Sequence, residues 1–220
     1  MKSIFKTFIL ALTFVLFNCK NTTSNLEYKY TNKPATIACK NTNAKLYAEA
    51  LYAFEEDILN YYGKNSRNNN AQPNLTYAYN QFIRNAVYSK IPYESVISQH
   101  TINVFKALKN DNTLWDANNT KSHLNYNSSL VKCIAENLKN TNLKTTFNAL
   151  LSVNDLSTKL IGPPIVSNYR SALNDKHLAT FIAFEFFYAK LFEVDLTKVN
   201  PHKVDTKVDF NKTPTSPKQQ

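Results

Sequence analysis

The chain has 220 residues, a formal net charge of +10 and only two glycines, Gly63 and Gly162. That length suits one domain with a sizeable core. Two isolated glycines exclude glycine-rich phosphate loops, dinucleotide fingerprints and the nucleophile elbow, all of which need glycines close together. The basic residues comprise 23 Lys and 3 Arg beside 30 Asn, a bias that looks like the codon usage of an AT-rich genome. No arginine cluster is present to grip phosphates bidentately, and the lysines are spread along the chain, so no nucleic-acid partner is expected.

The chain opens MKSIFKTFILALTFVLFNCKNTTSN. Lys2 and Lys6 form a positive n-region, and residues 9–17 form a short apolar core, which together read as a secretory signal rather than a membrane span. Cys19 follows the core directly. The run Leu16-Phe17-Asn18-Cys19 resembles the lipobox of bacterial lipoproteins in the relaxed form seen in Bacteroidota. The resemblance implies that residues 1–18 are removed and that Cys19 becomes a lipidated N-terminus. Asn18 departs from the usual Gly, Ala or Ser, and an ordinary cleaved signal with an incidental cysteine is the alternative. Two or three acyl chains hold a protein durably on a bilayer, since each buried CH₂ contributes about 0.8 kcal/mol. The polar run after Cys19 has no apolar period, so residues 19–40 read as a flexible tether. Lys20 and Asn21 stand where surface-exported relatives of that lipoprotein class often carry acids. By resemblance, the expected address is the outer membrane on its periplasmic side.

The first helix is expected over residues 43–62, with Tyr47, Ala50, Leu51, Phe54, Ile58 and Tyr61 as its apolar face and Gly63 ending it in a left-handed cap. Glu49, Glu55, Glu56 and Asp57 crowd the same helix. A bundle that holds two metals would also need Glu-x-x-His pairs, which are absent, so these acids read as a solvated face. A second helix covers residues 75–88 behind an Asn74 cap, and a third starts at Pro92 and runs to about residue 109. A fourth and a fifth follow at 128–138 and 143–153. Gly162-Pro163-Pro164 reads as a firm break, with a short helix over 166–173 after it.

The most apolar run of the domain is residues 175–195, DKHLATFIAFEFFYAKLFEVD. Asp175 is placed to cap it. Its apolar residues cover nearly every side of a helix, so it must be surrounded. Glu185 and Lys190 argue against a membrane span over 178–194, because each charge would cost roughly 2.5–3.5 kcal/mol at the bilayer centre. The fold class that follows is all-α: a single irregular bundle of about six to seven helices, residues 41–195, around a largely buried C-terminal helix. Residues 196–220 read as a polar, disordered tail.

Once Cys19 carries lipid, Cys39 and Cys133 remain, either as a disulfide in an exported protein or as two buried thiols. Glu185, flanked by Phe184, Phe186 and Phe187, reads either as a pocket carboxylate, meeting His100 or His177, or as part of an exposed or salt-bridged edge with Lys190 and Glu193. The four histidines form no zinc motif, and neither metal nor cofactor is expected. The functional expectation is a cell-envelope lipoprotein with a binding or structural role, attached to the membrane by its lipid and partnered by another envelope protein. The alternative is an envelope enzyme or small-ligand carrier with its pocket near Glu185.

Overall fold

The computed structural model describes residues 26–40, 42–64 and 72–199, and the described residues hold eight α-helices and no strand. The chain is therefore all-α, with more helices than the six to seven expected. The segment expected to be a signal sequence, Cys19 and residues 200–220 lie outside the described residues.

Most helices begin where a short polar side chain replaces the missing backbone acceptor. α1 (Ala44–Tyr62) starts at Asn43, whose side chain accepts the Leu46 N–H, and α2 (Leu75–Val87) starts at Asn74, which accepts from Tyr77. The expected third helix is two helices. α3 (Tyr93–Val96) follows Pro92, and α4 (Gln99–Leu108) is capped by Ser98, whose side chain accepts the Thr101 N–H. The break falls at Ser98 because its own N–H is taken by Asp57 of α1, at 3.0 Å. α5 (Ser129–Asn137) and α6 (Thr141–Ser152) are capped by Ser128 and Asn140. Each such cap contributes about 1 kcal/mol.

Two backbone expectations are corrected. Gly63 does not adopt a left-handed cap: its φ is −69° and its ψ −19°, and its N–H still bonds to Leu59. Gly162-Pro163-Pro164 is not a break but the middle of α7 (Thr158–Ser167). The two prolines deprive the carbonyls of Lys159 and Leu160 of helical partners, and both residues are solvent-exposed, so water can replace the lost bonds. The short helix expected over 166–173 is a 3₁₀ turn, Tyr169–Leu173.

The central stretch is capped by Asp175 as expected, with its side chain accepting from His177 and Leu178, and its residues from Leu178 to Ala189 are buried. It does not keep one pitch. α8 (Lys176–Phe181) widens into a π-helical segment, Ile182–Phe187, and then tightens into a 3₁₀ segment, Tyr188–Glu193. Such changes shift the direction in which later side chains leave the axis. The Phe186 carbonyl receives the Tyr93 hydroxyl at 2.7 Å, and the Tyr188 hydroxyl reaches the Ala50 carbonyl at 3.0 Å. Around this axis the core is largely aromatic. Phe54 of α1 meets Tyr79, Phe82 and Phe187, while Phe184 meets Tyr47, Trp115 and Tyr188. The pairs Phe54–Tyr79, Phe54–Phe82 and Tyr47–Phe184 are edge-to-face, a geometry that adds about 0.5–1.5 kcal/mol each beyond area burial.

Residues 26–40 do not behave as the free tether expected. Ile37 and Cys39 are buried, Leu26 and Tyr30 pack on the core, and the segment lies across α1 as a strap. At the other end, residues read as tail begin with a 3₁₀ turn, Leu196–Lys198, followed by a buried Val199.

Gly162 lets α7 approach α2 closely. A Cβ added there would lie 2.6 Å from Cγ2 of Val87 at the end of α2. Valine cannot swing aside easily. Gly162→Ala is therefore expected to lower stability by about 1–3 kcal/mol, read as a lower urea midpoint, and adding Val87→Ala should recover part of the loss.

Candidate functional site

The acids of α1 are not a solvated face. Glu49, Glu55 and Asp57 are buried and only Glu56 is exposed. The reason is that α1 is enclosed on several sides, by α2, α4 and the central stretch and by the strap. Each carboxylate is met by groups from another element. Glu49 accepts the strap's Lys29 N–H at 2.6 Å and Tyr30 N–H at 3.1 Å, and it lies 2.7 Å from Nε2 of His100 on α4. Glu55 accepts from the Tyr79 hydroxyl at 3.0 Å and from Lys176 Nζ at 2.9 Å. Asp57 accepts from the Ser98 backbone, with the Ser98 and Thr101 hydroxyls beside it. Burial pushes the Asp57 carboxyl up to about 7, against the opposing pull of those hydrogen bonds. Exposed Glu56 accepts the Tyr30 hydroxyl, and the Tyr52 hydroxyl donates to the Pro34 carbonyl at 2.7 Å, so the strap is tied down along its length.

Glu185 is fully buried, so it does not lie on an exposed edge with Lys190 and Glu193, and its hydrogen bonds go to other partners. It meets neither His100 nor His177 in a shared pocket. Its Oε2 accepts the Ser122 hydroxyl at 2.8 Å and its Oε1 the Tyr126 hydroxyl at 3.2 Å. Both come from the polar stretch between α4 and α5, which is an ordered cover. Asn119 accepts the Lys121 and Ser122 N–H groups, Ser122 Oγ accepts the Leu124 N–H, and Trp115 pairs with Leu124 in one antiparallel bridge. Burial raises the Glu185 carboxyl to about 7, while the Ser122 hydrogen bond and the charge of Lys190 oppose that rise.

The remaining predicted residues form a third, separate cluster. Cys39 and Cys133 are joined in a disulfide with Cα atoms 5.8 Å apart, fastening the end of the strap to α5. The His177 ring stands beside it: one ring nitrogen and the two sulfurs lie within 4.8 Å of one another. His177 Nδ1 is 3.9 Å from Asp175. The three residues expected around one pocket, Glu185, His100 and His177, thus belong to three different environments.

Open clefts flank the strap instead. One, of about 410 Å³, is lined by Tyr30, Lys33, Tyr52, Glu55 and Glu56 among others. A second, of about 430 Å³, shares Tyr30 and Lys33 and reaches Thr36, Lys45 and Glu49. The Tyr30 and Tyr52 rings stand 5.9 Å apart, and the Tyr52 ring draws the Lys33 ammonium to 5.6 Å and that of Lys176 to 5.5 Å. Aromatic faces backed by carboxylates in this way favour cations. The sequence offered one signal for this site: Glu49, Tyr52, Glu55 and Glu56 recur at helical spacing along α1, but residues 29–34 carried no signal that they would close over it. Compared with protein families, with characterised proteins and with solved structures, the chain matches none.

Two measurements follow from these buried acids. Glu49→Ala leaves two strap N–H groups and His100 without their acceptor, at about 1–3 kcal/mol for each buried group so stranded. The strap should loosen, and trypsin should cut after Lys29 on the order of tenfold faster, with Glu56→Ala having the smaller effect. Asp57 and Glu185 hold protons more tightly in the folded than in the unfolded chain, so their contribution to stability is lost as pH rises toward 7. The melting temperature is expected to fall by roughly 5–10 °C between pH 5 and pH 8. Asp57→Asn and Glu185→Gln should each flatten that slope.

Proposed function

We propose that the chain is a lipid-anchored protein of the bacterial cell envelope, held at Cys19 on the periplasmic side of the outer membrane. In this reading its helical domain serves a binding or structural role toward another envelope protein. The observation that supports it best is the Cys39–Cys133 disulfide, because disulfides persist in oxidising compartments, where the N-terminal signal would deliver the chain. Among the described residues no helix is long and apolar enough to cross a membrane. The binding face would be the strap and the exposed side of α1, where a basic side chain or an amine suits the tyrosines and carboxylates. A pocket built on Glu185 has less support, since Ser122 and Tyr126 hold both its oxygens and the described clefts do not reach it.

The test is intact mass and membrane fractionation of the native chain beside Cys19→Ala. Acyl mass on the native chain, with the variant released from membranes or left unprocessed, is the expected result. Equal masses and two soluble forms would reduce the protein to an exported soluble domain.

A further inference from the structure

We propose that Cys39, Cys133 and His177 form a zinc site that exists only when the disulfide is reduced. The inference is independent of the lipid anchor. The two sulfurs and one imidazole nitrogen already lie within 4.8 Å of one another. A tetrahedral zinc ion needs S···S separations of about 3.8 Å and S···N separations of about 3.6 Å, given Zn–S near 2.3 Å and Zn–N near 2.0–2.1 Å. With the S–S bond broken, rotation about the two Cα–Cβ bonds lets the sulfurs part by that amount, and the Cα separation of 5.8 Å can remain as it is.

The surroundings suit a metal better than a pair of idle thiols. A neutral imidazole offers a lone pair to a metal at the nitrogen that faces the two sulfurs. Asp175, which faces the ring, is itself fixed by the N–H groups of Lys139, His177 and Leu178, so it can orient the ligand from outside the coordination shell. The Asn137 side-chain amide reaches Cys133 Sγ at 3.8 Å and would stabilise a thiolate there. Cys133 and His177 are only half-buried, so an ion has a way in.

The chemistry balances with one dithiol reductant and one zinc ion per chain. A dithiol reductant delivers two electrons and two protons to the disulfide and leaves as its own disulfide. Zn²⁺ then displaces the two thiol protons to solvent, His177 adds its lone pair with no proton change, and water fills the fourth position. The oxidised and metal-bound states exclude each other, since a disulfide offers no thiolate. Cysteine pairs read as disulfides in oxidising compartments and as metal ligands in reducing ones; here a histidine stands ready for the second case.

The experiment uses the detergent-solubilised full chain carrying Cys19→Ala, which removes the third thiol. It is reduced, freed of reductant without oxygen, and titrated with Co²⁺ as the probe. One Co²⁺ per chain is expected, with thiolate charge-transfer absorption and the visible bands of a tetrahedral ion, both erased by Zn²⁺. The oxidised chain should show neither. His177→Ala should weaken binding by at least roughly 10–100-fold, the range that loss of outer-shell partners alone reaches. A reduced, folded chain that takes up no Co²⁺, or an unchanged affinity in His177→Ala, overturns the proposal. Should reduction melt the helices, Zn²⁺ is expected to restore the helical circular dichroism of the parent and not of His177→Ala; failure to restore it overturns the proposal equally.

Discussion

Everything in this fold depends on how α1 satisfies the carboxylates it buries. A buried acid without partners costs several kcal/mol, so a helix that carries three of them can be enclosed only if its neighbours bring donors. They do so from different directions. The strap brings two backbone N–H groups and α4 brings His100 to Glu49; α2 brings Tyr79 and the central stretch brings Lys176 to Glu55; the start of α4 brings Ser98 to Asp57. The acids thus set where the neighbours sit. The apolar contacts between the same elements supply most of the stabilisation, but they tolerate sliding, whereas a hydrogen bond at 3 Å does not.

The central stretch obeys a related constraint. Its aromatic residues must fill space on all sides, while Glu185 must point at Ser122 and Tyr126 and the Phe186 carbonyl at Tyr93. A regular α-helix fixes these directions at 100° per residue. The widening at Ile182 and the tightening at Tyr188 change that spacing, so the backbone departs from regularity where side-chain demands conflict with it. The polar cover over Glu185 has the same origin. Asn119 and Ser122 give a segment without regular structure enough internal hydrogen bonds to lie against the core.

Local information was legible in the sequence and distant information was not. Asn74 and Asp175 could be read as caps because a cap acts over three residues, and the apolar periods of α1, α2, α5 and α6 follow from neighbouring positions on one face. The burial of Glu49 and Asp57 could not be read that way, since their partners lie 19 to 51 residues away. The site expectation failed for the same reason. Glu185, His100 and His177 looked alike as isolated polar residues near apolar runs, and only tertiary packing assigns each to a different environment. Pro163 and Pro164 misled through a local rule that holds in general and is relaxed where the freed carbonyls face water. The pairing of Cys39 with Cys133 stood open between two readings, because 94 residues of chain say nothing about proximity.

The docking of the strap also shortens a leash. Leu26 is the first described side chain packed on the core, so a lipid on Cys19 would be followed by only six residues before it. The seven Cα-to-Cα steps from Cys19 to Leu26 can reach at most about 25 Å, less than the width of a globule of this size, about 40 Å. A domain held on so short a lead could not turn freely over its anchor. It would ride close against the bilayer with the strap side inward, and whatever it meets would have to be there too, at the membrane surface, approaching from the flank.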